Sequence, residues 1–186
     1  MNIIKEPLPG LLVIKPNIYR DERGFFLETW QQNRYKNIGI NEDFVQDNWS
    51  RSSKNVLRGL HYQKNNPQGK LVSVRRGAIY DIAVDLRQDS ETFGQWYGEL
   101  LSDDNHLQLY VPPGFAHGFS VLSDIADFNY KCTDFYNPQD EYGIAWNDPE
   151  LNIDWKVDNP IVSEKDHKLP NFNELNLAYI PQLIAS

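Results

Sequence analysis

The chain has a single cysteine, Cys132, so an intrachain disulfide is impossible and no cluster of thiolate ligands can form within one copy. A lone free cysteine usually behaves as a small buried hydrophobe, and Cys132 is read as a packing residue. Long hydrophobic runs are also missing. The apolar stretches of the first 16 residues are broken by Lys5, Pro7, Pro9 and Lys15, which leaves neither a signal-peptide core nor a membrane span; a cytoplasmic location is expected. Positive charge is scarce: 18 Lys and Arg against 26 Asp and Glu give a net charge of −8, which disfavours nucleic acid and anionic membranes as partners. A small anionic ligand is still compatible, because a local group of Arg and Lys can reverse the field inside a cleft. Repeats, homopolymer tracts and Gly/Ser linkers are absent, as are a Gly-rich phosphate loop and a dinucleotide fingerprint.

What is present is a globular composition, 40% hydrophobic and 13% aromatic over 186 residues, sufficient for one domain spanning 1–186. A short helix is expected over 30–37, and strands over 24–29, 44–48, 56–61, 71–74, 78–86, 96–101, 107–111, 118–122 and 127–133. Many short strands separated by turn residues point to a sandwich or barrel. Arg75-Arg76-Gly77 looks like the turn of a hairpin joining 71–74 to 78–86. Within 78–86, Asp81, Ala83 and Asp85 share one face, which periodicity places either inside the barrel mouth or on a solvated surface. From 134 onward Asn, Asp and Pro become frequent, so an irregular segment with short helical turns is expected, covering the barrel.

Among the polar residues, His61 stands in a dense polar and aromatic strand, and a histidine side chain titrates near neutrality, which suits proton abstraction. Lys70 could hold the charge of an enolate oxygen. Taken singly, each has a plainer reading: an interior histidine and a solvated lysine at a turn. Arg58, Gln63 and Lys70 close to His61 in sequence favour the chemical reading. Arg58 and His61 are three apart and would point to opposite faces of a regular strand, unless Gly59 introduces a bulge.

Gly59-Leu60-His61-Tyr62-Gln63 and Pro112-x-Gly114-x-x-His117 resemble the two half-motifs of a cupin. The resemblance implies an all-β, cupin-type double-stranded β-helix (jelly roll) with a few short helices and an irregular C-terminal segment. Metal-binding cupins carry a His-x-His pair in the first half; here Tyr62 and Gln63 follow His61, so no bound metal is expected.

Seven segments go further: 21–26 (DERGFF), 46–50 (QDNWS), 56–63 (VLRGLHYQ), 68–72 (QGKLV), 81–87 (DIAVDLR), 113–119 (PGFAHGF) and 130–132 (YKC). In this order and spacing, across 20–166, they resemble the dTDP-4-dehydrorhamnose 3,5-epimerase family. The resemblance implies a cofactor-free isomerase that inverts C3 and C5 of a dTDP-linked 4-keto-6-deoxy sugar in dTDP-L-rhamnose biosynthesis. Single-site epimerisation, at C3 or C5 only, of a related nucleotide sugar is the alternative. It also implies roles: His61 as base, Lys70 on the enolate, Tyr130 returning a proton from the other face, and Asp166 supporting His61, with Asp81 in reserve. Arg23, Arg58 and Lys165 would lie near the diphosphate or sugar. Glu28, Gln46, Asp47, Asn48, His117 and Glu141 would add polar contacts, and Tyr136 a stacking surface. In the family Arg23 and Glu28 reach the site of the neighbouring subunit of a homodimer. Two departures concern loops: Asn55 stands where glycine is common, and Lys156 where proline is common. Outside the family, a noncatalytic sugar- or nucleotide-binding jelly roll and a metal-dependent cupin oxygenase are the competing classes.

Overall fold

The computed structural model describes residues 1–176, 178, 180 and 181. Two antiparallel sheets face each other. One has six strands in the order β1 (Asn2–Leu8), β2 (Leu11–Lys15), β10 (Gln108–Val111), β7 (Lys70–Arg76), β12 (Ile125–Cys132), β5 (Gln46–Ser53). The other has five: β13 (Glu141–Gly143), β6 (Leu57–Gln63), β11 (Phe115–Val121), β8 (Ala78–Asp85), β9 (Trp96–Ser102). A separate ribbon pairs β3 (Ile18–Asp21) with β4 (Gly24–Leu27), and α1 (Gln32–Lys36) is the short helix, with the Gln31 side chain accepting from the Arg34 N–H. The fold is the expected all-β, cupin-type jelly roll.

Alternation decides what each face covers. Val72, Val74 and Phe128 from the six-stranded sheet meet Ile79, Ala83, Phe115 and Phe119 from the other in the inner core. On the outside of the five-stranded sheet, Leu60, Tyr62, Ile82, Val84 and Ala116 are covered by Ile144, Leu151 and Trp155 of the C-terminal segment. The outside of the six-stranded sheet buries Leu12, Ile14, Leu71 and Tyr110 under Tyr35 of α1 and Ile40. β8 is therefore buried on both faces, which resolves the two-way reading of Asp81 and Asp85: both lie inside, fully buried.

The expected hairpin across Gly77 does not form. β7 pairs with β10 and β12, whereas β8 pairs with β9 and β11, so the turn carries the chain from one sheet to the other. The apolar residues of β7 and β8 pack against each other across the core instead of lying edge to edge. Gly77 takes φ +78, and a Cβ there would sit 2.1 Å from the Ile125 carbonyl oxygen, so only glycine fits this crossing. β1, β2, β3 and β13 also form where no strand is expected: Lys5 and Pro7 interrupt the apolar alternation of β1, residues 11–14 of β2 are all buried and so do not alternate, and β3 and β13 are only four and three residues long. Asn55 adopts φ +66, a conformation shared by glycine and asparagine; Lys156, at φ +61, has a backbone that proline cannot take. Among the described residues no helix is long and apolar enough to cross a membrane.

Candidate active site

A cavity of about 710 Å³ opens between the two sheets at one end, within the usual range for a small-molecule site. One wall comes from the six-stranded sheet: Gln46, Asn48 and Ser50 of β5, Lys70 of β7, Phe128 and Tyr130 of β12. The facing wall comes from the five-stranded sheet: Arg58 and His61 of β6, His117 and Phe119 of β11, and Glu141 of β13. Asp166, Lys165 and Tyr136 enter from the C-terminal segment.

Arg58 and His61 share the cavity because β6 bulges. His61 pairs with His117 and Arg58 with Phe119, so a three-residue step on β6 matches a two-residue step on β11. Gly59, at φ +105, sits in the bulge; a Cβ there would lie 2.6 Å from both the Gly118 Cα and the His117 carbonyl oxygen. Gly59→Ala is expected to cost about 1–3 kcal/mol in stability through forced backbone shifts, measured as a lower denaturant midpoint, and to depress activity along with it.

His61 Nε2 lies 2.7 Å from Asp166 Oδ1. Burial works to raise the Asp166 carboxyl, but the His61 bond, the Gly59 N–H at 3.3 Å and Ser163 hold it below the usual carboxylate range. An ionised carboxylate only accepts, so Nε2 carries the hydrogen and Nδ1 keeps its lone pair for the cavity. His117 is held in a parallel way, its Nε2 being 2.9 Å from Oδ1 of buried Asp81. Burial raises the Asp81 carboxyl, against the pull of His117 and Lys70. Each imidazole thus commits one nitrogen to its own carboxylate, and among the described residues no group of three His, Cys, Asp or Glu side chains is arranged to hold a metal ion.

Opposite His61, Lys70 is desolvated, which lowers it below the ordinary lysine value, while Cys132, Glu141 and Asp81 act on it through space in the other direction. None of the described residues forms an ion pair with it, so its ammonium is available to a ligand. Burial pushes the Tyr130 phenol up to about 12, so at neutral pH it keeps a proton to donate. Phe128 packs on Phe119 with centroids 4.4 Å apart and stacks on His117 at 6.1 Å, forming an apolar floor. At the rim the Tyr136 hydroxyl donates to Glu141 Oε2 at 2.9 Å, and Lys165 pairs with the same oxygen. A base and a phenol on opposite walls, with an unpaired ammonium between sheets, suit proton transfer on both faces of a flat carbonyl-bearing ring.

A sequence model of the dTDP-4-dehydrorhamnose 3,5-epimerase family matches residues 5–174. The chain belongs to this family. It is 52% identical over 166 residues to the dTDP-4-dehydrorhamnose 3,5-epimerase of Methanothermobacter thermautotrophicus, covering 88% of this chain and 90% of that one. With the Escherichia coli enzyme of the same name it shares 50% over 178 residues, covering 94% and 96%. Its fold superimposes on the crystal structure of dTDP-6-deoxy-D-glucose-3,5-epimerase from Legionella pneumophila, in complex with dTDP-4-keto-L-rhamnose, with a TM-score of 0.95, 51% identity and 99% of each chain covered.

Most of the expected epimerase-family residues converge: His61, Lys70, Tyr130, Asp166, Gln46, Asn48, Arg58, His117, Tyr136, Glu141 and Lys165 all line the cavity. Asp47 does not. It alternates with Gln46 and Asn48 on β5, points to the outer face and pairs with Lys131 at 2.8 Å. Arg23 and Glu28 also stand apart, Arg23 on Asp21 in the ribbon with 85% of its side chain exposed, Glu28 on Arg34 at 3.3 Å. Sequence reasoning missed Ser52, whose Oγ accepts from Arg58 Nε at 3.2 Å and leaves the other guanidinium nitrogens for a ligand, and it missed the Phe119–Phe128 floor. The two-residue period of β5 was the available signal for Ser52 and against Asp47.

Proposed function

We propose that this chain catalyses 3,5-epimerisation of dTDP-4-dehydro-6-deoxy-D-glucose to dTDP-4-dehydro-L-rhamnose, working as one cupin-type domain. The observation that carries the reading is the placement of His61 and Tyr130 on opposite sheets across one cavity. His61 Nδ1 takes the proton beside the C4 carbonyl, the electron pair moves to the carbonyl oxygen against the Lys70 ammonium, and Tyr130 protonates the carbon from the other face. Asp166 stabilises the imidazolium. The step is redox-neutral, and each role falls to a side chain.

Arg58 and Lys165, cations that line the cavity, are assigned to the diphosphate in this proposal, and the ring of Tyr136, half-exposed at the rim, to the pyrimidine. A homodimer is part of the proposal, as is a cytoplasmic location. The β3–β4 ribbon, with Phe26 68% exposed on it, carries Arg23 away from its own cavity, which supports delivery of Arg23 and Glu28 to a partner's site. The test is NMR of the nucleotide sugar after turnover in D₂O. Deuterium is expected at both C3 and C5; incorporation at one carbon selects single-site epimerisation, and incorporation at neither overturns the reading.

A further inference from the structure

Inverting two carbons with one base creates a requirement that base, acid and cation do not meet. On the reading above, His61 must shed the first proton before it can accept a second. The 28% of its side chain that is exposed faces the cavity the sugar has to fill, so bulk water is screened from it during turnover. Its Nε2 is engaged by Asp166, which is buried.

The other nitrogen, Nδ1, lies 3.8 Å from Glu141 Oε1. The second carboxylate oxygen, Oε2, accepts from the Tyr136 phenol and pairs with the Lys165 ammonium, both exposed at the rim. One carboxylate therefore spans from the base to solvent. The remaining ionisable groups around the cavity cannot substitute. Arg58 has no lone pair to accept a proton, His117 is buried on Asp81, and Lys70 and Tyr130 stand on the opposite sheet.

We propose that Glu141 is the proton outlet of His61: between the two inversions its Oε1 takes the proton from Nδ1 and releases it to solvent beside Tyr136 and Lys165. Side-chain rotation closes the 3.8 Å gap to a hydrogen bond of about 2.8 Å. The atoms balance. The C–H proton passes to His61, then Glu141, then water, while Tyr130, having given its proton to the carbon, regains one from solvent. Burial works to raise the Glu141 carboxyl, but Lys165, His61 and Tyr136 hold it below its ordinary value, so it waits as a carboxylate able to accept.

The inference rests on two-carbon epimerisation, and a Glu141→Gln variant separates the two. In D₂O, product sampled early by NMR and mass spectrometry is sorted into singly and doubly exchanged sugar. The variant is expected to lower the ratio of doubly to singly exchanged sugar by about tenfold or more, a typical worth of an assisted proton transfer being at least that. Formate in the buffer should restore the ratio in a concentration-dependent way, and Glu141→Asp should fall between. An unchanged ratio overturns the outlet. So does loss of both exchanges in equal proportion, with or without loss of dTDP binding by calorimetry, because that pattern belongs to a binding or structural role. Wild-type enzyme exchanging only one carbon removes the two-carbon reading itself and the need for an outlet with it.

Discussion

Substituting His61 with alanine is expected to abolish solvent-deuterium incorporation at both carbons, with a rate loss of order 10² to 10⁴ or more. Both positions fall together because the two proposed proton abstractions are assigned to one imidazole: His117, the other histidine of the cavity, is buried on Asp81, whereas His61 Nδ1 is the nitrogen left free by Asp166. The variant should still fold. His61 is a half-buried residue at the cavity surface, and its neighbours Leu60 and Tyr62 supply the buried contacts of β6. Circular dichroism and dTDP binding by calorimetry would confirm an intact protein. Exchange retained at either carbon would remove His61 from the base role.

Lys70→Met should produce the next largest effect, a fall in kcat of about 10² to 10³, the range for removing one donor to a developing oxyanion, or about 3–4 kcal/mol. Methionine preserves the length and most of the volume of the side chain, so β7 keeps its pairing with β10 and β12. The ammonium is desolvated and lacks an ion-pair partner among the described residues, which is costly in the free protein and is repaid only when charge appears on the substrate oxygen. Loss should therefore appear in kcat far more than in KM. An equal rise in KM with kcat preserved would assign Lys70 to substrate binding instead.

β12 was legible because Ala126, Phe128, Tyr130 and Cys132 alternate with Asp127, Asn129 and Lys131 at period two, whereas β7, β8 and β11 were legible as short segments rich in Val, Ile and Phe bounded by turn residues, β11 only from Gly118 onward. The site residues were legible through family-like segments rather than through periodicity. Arg58 and His61 violate strand alternation, and their convergence depends on the Gly59 bulge. Sheet membership was not legible. Nothing local to Arg75-Arg76-Gly77 distinguishes a hairpin turn from a crossing between sheets, since that choice is made by the long-range packing of Val72 and Val74 against Ile79. The N-terminal strands were hidden for a related reason: exposed β1 residues such as Lys5 find partners far along the chain, here Glu99 at 2.9 Å. Glu141 entered as one polar contact among several, and its position between His61 and the rim follows from the pairing of β13 with β6.

With His61 and Tyr130, the proposed proton acceptor and donor, on different layers of the sandwich, the thickness of the hydrophobic interior would act as a ruler for the proposed reaction. Packed sheets sit about 10 Å apart, and Phe119 and Phe128 help set that spacing next to the reacting groups. A substitution that swells or thins this interior alters both proton flights at once without touching a catalytic side chain. The proposed turnover is thereby tied to the packing of the whole interior and not to the cavity lining alone.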